Sequence, residues 1–379
     1  MRGRLAPAVL ALAAAAAVVG AGGCCCGAPA AFTARRPLAP AAEAGPPPLT
    51  GPVLRALHFG DFGDDTCQQR EVARALAAAH ARAPFDLAFH AGDNVYECGP
   101  DVALPGAERC AFAADDASVA PGFSPPADPR FAAKLETPLA FLAAGAAPVP
   151  VYLALGNHDI ASCDGGGLPL DTLRRRKACL EVAHASALWH LPARHYAVDR
   201  GPARFIVLDS NLLLGDYGGF TIDGEVAFVR AASAGCDARP CFIVSHHPPA
   251  TAALHRTDAT PEYIDRLRRV QEAFQGPVAG WLAAHDHDLQ HLRAAAGYDV
   301  FVSGNGSRGR PEERFAQVSV PAAQLLFAST AWGFSTLEVA GQRWRVRFES
   351  TAGEPLHCCE ATFPGACQPV ACPPPSGAR

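Results

Sequence analysis

Val53-Leu54-Arg55-Ala56-Leu57-His58-Phe59 runs directly into Gly60-Asp61-Phe62-Gly63. The apolar run reads as a strand, and the glycine-flanked pair after it reads as the turn that ends it. A carboxylate at such a turn sits on a loop held by a rigid scaffold, where chemistry is commonly placed. The arrangement recurs along the chain. Asp86–His90 leads into Gly92-Asp93-Asn94-Val95-Tyr96, and Val149–Leu155 leads into Gly156-Asn157-His158-Asp159. Cys241–Ser245 precedes His246-His247-Pro248, and Val278–Ala283 precedes His285-Asp286-His287. Between the first two strands, Thr66–Arg82 reads as a helix with Val72, Ala73, Leu76 and Ala79 on one face. A second helix is expected over about Pro129–Ala144, and further strands at Ala203–Asp209, Asp299–Val302 and Gln324–Ser329. A last hairpin pairs Gly333–Val339 with Arg343–Phe348. Strands interspersed with helices predict an α/β sandwich in one domain.

The five motifs offer Asp61, Asp93, Tyr96, Asn157 and several histidines. This is the oxygen-and-nitrogen ligand set of a pair of hard or borderline metal ions, not of a structural zinc. An Asp is a small bridging ligand that can hold two cations about 3.5–4 Å apart, the spacing that in-line phosphoryl displacement needs.

Composition and termini narrow the setting. At 379 residues, 49% apolar and 18% charged, the chain is a folded globular protein of one large domain or two ordinary ones. A net charge of −5 leaves no basic footprint, which argues against nucleic acid as a partner. Arg2 and Arg4 precede an Ala-rich apolar stretch from Leu5 to about Gly20, followed by Ala21-Gly22-Gly23 and Cys24. Residues 1–24 therefore read as an export signal with a lipobox-like end, although Ala21 stands where a larger aliphatic residue is usual. A lipoprotein is favoured over plain cleavage or an uncleaved anchor. Residues 25–52, rich in Pro and Ala, read as a tether, 53–350 as the catalytic domain and 351–379 as a Cys/Pro-rich tail.

Eleven cysteines lie beyond the Cys24–Cys26 cluster, none in a C-x₂-C pair, so disulfides in an oxidising compartment are expected. Short loops favour Cys98–Cys110, Cys163–Cys179 and Cys236–Cys241. The four tail cysteines would staple residues 355–373, leaving Cys67 over.

The ordered set GDFG, GDNVY, GNHD, H-x-P and H-x-H resembles the calcineurin-like metallophosphoesterases. Three details resemble their small, tartrate-resistant purple acid phosphatases. Asp61 is followed by an aromatic residue and Gly, Tyr96 lies three residues after Asp93, and Ser303-Gly304-Asn305-Gly306 follows His285-Asp286-His287-Asp288-Leu289-Gln290. The likeness spans residues 53–350 and implies a β-sandwich of two mixed sheets flanked by helices. By position it implies a ferric-type site of Asp61, Tyr96 and His287, a divalent site (Fe²⁺, Zn²⁺ or Mn²⁺) of Asn157, His246 and His285, and Asp93 as bridge. A metal-bound hydroxide would attack phosphorus, with His158 first and His255 second as candidate general acid or phosphate ligand. His255 lies nine residues after His246, a spacing the small enzymes share, but a surface histidine explains it nearly as well.

Other residues carry plainer readings. Asp159 is expected to orient His158, and His247 to pack beneath its neighbour. His58 and His90 flank strands as core or supporting residues, Asn305 serves a turn or the phosphate pocket, and the remaining histidines are ordinary. GDFG alone mimics a kinase signature, but no glycine-rich loop, strand lysine or HRD loop accompanies it. Two features depart from the family pattern: Ala283-Ala284 stands where a Gly usually precedes the first histidine, and the Cys98–Cys110 loop has no counterpart. The sequence thus predicts an exported, monomeric acid phosphatase acting on small phosphomonoesters, attached to the cell envelope by an N-terminal lipid or anchor, or secreted. The rivals are a phosphodiesterase of the same superfamily and a catalytically weak phosphate- or metal-binding lipoprotein.

Overall fold

The computed structural model describes residues 49–374 apart from 146, 164–166, 311–314, 317–318 and 320. The export and lipobox readings at 1–24, and most of the tether, lie outside the described residues. Two mixed sheets form the domain. The first runs, edge to edge, Gln368–Pro369 (β15), Pro355–Thr362 (β14), Arg343–Ser350 (β13), Gly333–Ala340 (β12), Leu54–Phe59 (β1), Leu87–His90 (β2), Val151–Leu153 (β3) and Trp189–His190 (β4). The second runs Ala323–Ser329 (β11), Leu289–Ala294 (β9), Asp299–Ser303 (β10), Gly280–Ala283 (β8), Cys241–Val244 (β7), Ala203–Val207 (β6) and Tyr196–Arg200 (β5). Helices Cys67–Arg82 (α1), Pro129–Phe131 (α2), Leu170–Ala183 (α3), Asn211–Leu214 (α4), Ile222–Ala232 (α5) and Pro261–Ala273 (α6) accompany them.

The α/β sandwich is as expected, and its core is the seam between the sheets. Phe89 of β2 meets Phe205 of β6 at 4.5 Å between ring centroids, and Trp344 of β13 meets Phe242 of β7 edge-on at 5.4 Å. All four rings are fully buried. Such rings each remove a large apolar area from water and prefer offset or edge contacts. Helix α1 starts where Thr66 accepts from the Gln69 amide, and it buries Val72, Ala73, Leu76 and Ala79, the face read from the sequence.

The expected helix over Pro129–Ala144 is broken. A widened turn covers Ala132–Glu136, closed by Thr137 N–H to Ala132 O, and a 3₁₀ turn follows at Ala140–Ala143. Pro138 explains this, because it has no N–H to donate, and Lys134 O four residues back accepts from Gln69 Nε2 instead. The hairpin joining β12 and β13 turns through Gly341 at φ 57°. The cysteine-rich stretch is built onto the same sheet, since β14 pairs along β13.

Among the described residues five disulfides are present, and two differ from expectation. Cys236–Cys241 and the tail staples Cys358–Cys372 and Cys359–Cys367 form, but Cys98 pairs with Cys163 and Cys110 with Cys179. Sequence proximity fails as a guide because β2 and β3 are parallel neighbours, which brings the loops beyond them together. The insertion after Tyr96 is thereby stapled to α3, where Val102 and Ala107 pack with Leu173 and Leu180. Cys67 stands outside the bridges, with Arg70 Nη2 3.6 Å from its sulfur.

Candidate metal centre

Strands β1, β2 and β3 are parallel in one sheet, and β7 and β8 are parallel in the other. The five motifs therefore emerge from the carboxyl ends of strands in both sheets and meet at one edge of the sandwich, where open α/β sheets commonly bind ligands. All seven predicted ligands come together. On one side Tyr96 donates its hydroxyl to Asp61 Oδ1 at 2.8 Å and lies 3.4 Å from His287 Nε2, which is 3.5 Å from Asp61 Oδ1. On the other, His246 Nε2 lies 2.9 Å from Asn157 Oδ1, 3.1 Å from His285 Nδ1 and 3.4 Å from Asp93 Oδ1. Atoms of Asp61, Asp93 and His246 within 4.8 Å of one another join the two halves.

The hydrogen-bond roles show what this cluster is suited to hold. His246 directs Nδ1 at Ala91 O, 2.9 Å away, and His285 directs Nε2 at Asp258 Oδ2, 3.2 Å away. Each ring thus spends its N–H on a fixed acceptor and turns a bare nitrogen inward. Asn157 Oδ1 and Asp93 Oδ1 face the same point. A proton can serve one of these lone pairs, whereas a cation serves all four. The donor set fits a metal ion.

Backbone geometry is unusual at the same residues. Asp61, Asp93 and His285 have φ of 52°, 58° and 70°, a left-handed region that non-glycine residues adopt at a cost. Gly156 is needed for closeness, because a Cβ there would lie 2.2 Å from both the amide and Oδ1 of Asp93. The Ala283-Ala284 departure is accommodated. The positive φ falls on His285, not Ala284, and the Ala284 methyl occupies the space that Gly60 leaves open, 2.4 Å from where a Cβ of Gly60 would lie.

Electrostatics follow from burial. Desolvation pushes the Asp61 carboxyl up to about 7 against the pull of His246, with the charge of Asp93 adding to the rise. For Asp93, desolvation also acts upward, but His246, His158 and bonds from Tyr96 and the His158 amide outweigh it and hold the group low. Burial raises the Tyr96 phenol well above its ordinary value, and burial followed by the Arg310 charge lowers His287 to about 4. Carboxylates, a phenol and imidazoles buried this way are stabilised as ligands by a cation.

Supporting residues differ in part from those expected. Asp159 does not reach the His158 ring. Its Oδ1 accepts from the Asn94 and Val95 amides and its Oδ2 from the Gly156 amide, tying the second and third motifs together. Asn94, inside the GDNVY motif, donates to Ala154 O and Glu181 Oε2. Asp258 carries no motif signal, yet it touches both His285 and His255. Asp286 accepts from the His255 amide at 3.0 Å and from the Thr251 hydroxyl, fixing the turn that carries His255. His247 is buried beneath its neighbour with Nδ1 3.0 Å from Ser210 Oγ, as read from the sequence. His58 pairs with Ser335 and His90 with Asn94, both buried. Asn305 donates to Ala331 O in a turn.

The two candidate acids have different surroundings. His158 is 28% exposed, with Nδ1 2.8 Å from Glu97 O and its ring 4.5 Å from that of Tyr96. Nε2 is left toward solvent. His255 lies against His285 with ring centroids 3.8 Å apart, directs Nδ1 to Asp258 Oδ2 at 2.8 Å, and receives Arg310 Nη2 at Nε2 at 2.9 Å. Nε2 therefore acts as an acceptor, with no proton to give.

This fold and clustered ligand set define a metallophosphoesterase. The sequence matches the family described as Calcineurin-like phosphoesterase over residues 54–289, and the chain belongs to that family. It is similar to tartrate-resistant acid phosphatase type 5 of mouse (22% identity, 80% of this chain and 89% of that protein) and of rat (23%, 55% and 65%). The rat match thus spans just under two-thirds of its relative. In fold it is similar to a purple acid phosphatase from yellow lupin seeds (TM-score 0.56, 15% identity, 84% of this chain and 55% of that one). It is also similar to GAP50, the anchor in the inner membrane complex of Plasmodium (TM-score 0.57, 15% identity, 82% and 89%).

Proposed function

We propose that this chain is an exported acid phosphatase that hydrolyses small phosphomonoesters as a monomer. The observation that carries the reading is the convergence of four acceptor atoms at His246 Nε2, beside the Asp61–Tyr96–His287 cluster. In this reading Asp61, Tyr96 and His287 hold one cation, Asn157, His246 and His285 a second, and Asp93 bridges them. Phenolate and carboxylate are hard anions suited to Fe³⁺, whereas an amide and two imidazoles suit Fe²⁺, Zn²⁺ or Mn²⁺. When bound, the pair would acidify a water and neutralise charge on the phosphoryl oxygens.

The chain's own groups complete the reaction. His158, held at Nδ1 by Glu97 O, offers Nε2 in its imidazolium form as the proton donor to the departing alkoxide. His255 holds Arg310 rather than donating a proton. Export is supported by five disulfides, which persist in oxidising compartments, and by the leader composition of residues 1–24, with Cys24 as the proposed lipid attachment site. The mouse and rat relatives are named for the same activity.

The test is hydrolysis of p-nitrophenyl phosphate and bis(p-nitrophenyl) phosphate from acid to neutral pH by protein reconstituted with iron. The expected result is monoester turnover with an acid optimum and a visible band lost in Tyr96→Phe. Faster turnover of the diester would move the protein to the phosphodiesterases, and no turnover of either would support a binding protein.

A further inference from the structure

Helix α3 grips the loops of the second and third motifs with two side chains one turn apart. Lys177 and Glu181 are both fully buried, which long ionisable side chains rarely are unless they hold partners. Lys177 Nζ donates to Cys98 O and, at 2.7 Å, to Ala161 O, just beyond GDNVY and GNHD respectively. Glu181 Oε2 accepts at 2.9 Å from Nδ2 of Asn94, which lies between Asp93 and Tyr96. The same nitrogen is 2.8 Å from Ala154 O and 2.9 Å from Asp159 Oδ2. Three oxygens thus share two hydrogens, so the Asn94 amide is balanced between α3 and the third motif. Burial, followed by the Asp159 charge, pushes the Glu181 carboxyl well above its ordinary value, so it enters as a neutral acid. The helix is anchored in turn by Cys110–Cys179 and by Trp189 Nε1, which donates to Glu181 O at 3.1 Å.

We propose that Glu181 is a positioning residue that fixes, through Asn94 and Asp159, the spacing between the loops of Asp93 and Asn157, and with it the affinity for the second cation. This rests on the reading of the cluster as a two-cation centre. The linkage is short. Asn94 directly follows Asp93, and Asp159 Oδ2 accepts from the amide of Gly156, the neighbour of Asn157. Asp93 Oδ1 accepts from the His158 amide at 3.0 Å, and a Cβ on Gly156 would lie 2.2 Å from Asp93, so the two loops touch. Ligand oxygens on two loops bind one cation well only when held within about 0.5 Å of the productive geometry. Leucine at position 181 would still leave both Asn94 hydrogens an acceptor, at Ala154 O and Asp159 Oδ2. Its effect is therefore expected at the cations and not as an unpaired buried donor.

The test is titration with Zn²⁺ in competition with a chromophoric chelator, alongside urea unfolding of the metal-free proteins. His246→Ala identifies the class of site that belongs to the second cation. Glu181→Leu should weaken that class ~10- to 100-fold, the usual effect of losing an outer partner of a metal ligand, with the other class and the urea midpoint little changed. Glu181→Gln keeps an acceptor for Asn94 and a donor for Asp159, and should bind as the wild type does. Glu181→Asp, one methylene shorter, should fall between them and gives the same reading if the leucine variant does not fold. Unchanged affinity in Glu181→Leu or Glu181→Asp, with or without a lower urea midpoint, would overturn the positioning role, as would a glutamine variant as weak as the leucine one. A weakened second site in a protein whose wild type turns over no monoester would leave the positioning role standing and remove the proposed activity. Monoester turnover with cation affinity insensitive to position 181 would do the reverse.

Discussion

His285 Nδ1 lies 3.1 Å from His246 Nε2, and neither nitrogen carries the proton of its ring. The two imidazoles are held lone pair to lone pair, His246 by the Ala91 carbonyl and His285 by the Asp258 carboxylate. Left alone, such a contact is repulsive in a buried site. It would become favourable with a cation bound by both nitrogens.

Asp258 follows directly from that relationship. It sets the inward-facing nitrogen of His285 without reaching the inner cluster. Asp258→Ala should weaken binding of the second cation ~10- to 100-fold, the usual effect of losing an outer partner of a ligating histidine. Titration with Zn²⁺ or Mn²⁺ should show one weakened class of site and one little changed.

The His158 and Tyr96 rings meet at a tilt 4.5 Å apart, and Glu97 O occupies His158 Nδ1. His158→Ala should therefore cost ~10²- to 10⁴-fold in kcat on an alkyl phosphate, where the leaving oxygen needs a proton. It should cost far less on p-nitrophenyl phosphate, whose leaving group departs without one. Equal losses on both substrates would assign His158 to binding.

Stability of the metal-free protein should rise with pH between about 4 and 6.5. Burial holds His58 at about 3, and His90 and His287 at about 4, and it lowers His247, His285, His291 and His357 as well. In that window the unfolded chain binds protons that the folded chain refuses, so stability is fully present above about 6.5 and is lost as pH falls toward the folded values. Asp61 at about 7 and Asp159 at about 6, together with Glu181 and Asp209, are all raised by burial and act in the opposite sense over part of the range, but they are four groups against these seven histidines. Urea unfolding at pH 4.5 and 7 in the presence of a chelator checks the sign.

Much of the clustering was legible because the motifs are contiguous in sequence. Each proposed ligand follows its own strand by a few residues, so parallel pairing of β1, β2 and β3 and of β7 and β8 was enough to bring them together. What was not legible depends on distant segments meeting. Asp258 sits in a turn with no periodicity to mark it, and Arg310 gains meaning only because the loop after β10 brings it to His255. Asp159 was read with its sequence neighbour His158, but its carboxylate points back to the GDNVY turn. The helix at Pro129 failed on a visible signal, Pro138. The disulfides failed because loop length is a weaker guide than the adjacency of β2 and β3.

The disulfide map offers an independent check on that adjacency. Peptide mapping of the unreduced protein should recover Cys98 linked to Cys163 and Cys110 linked to Cys179. Cys98–Cys110 and Cys163–Cys179 peptides would mean that the insertion folds on itself instead of onto α3.

The most direct test of the account is the number of metal ions bound per chain, measured by elemental analysis after reconstitution and removal of excess metal. Two ions per chain are expected in the wild type and one in His246→Ala, which removes the nitrogen where four acceptors meet. One ion or none in the wild type, or two retained in His246→Ala, would contradict the two-cation centre.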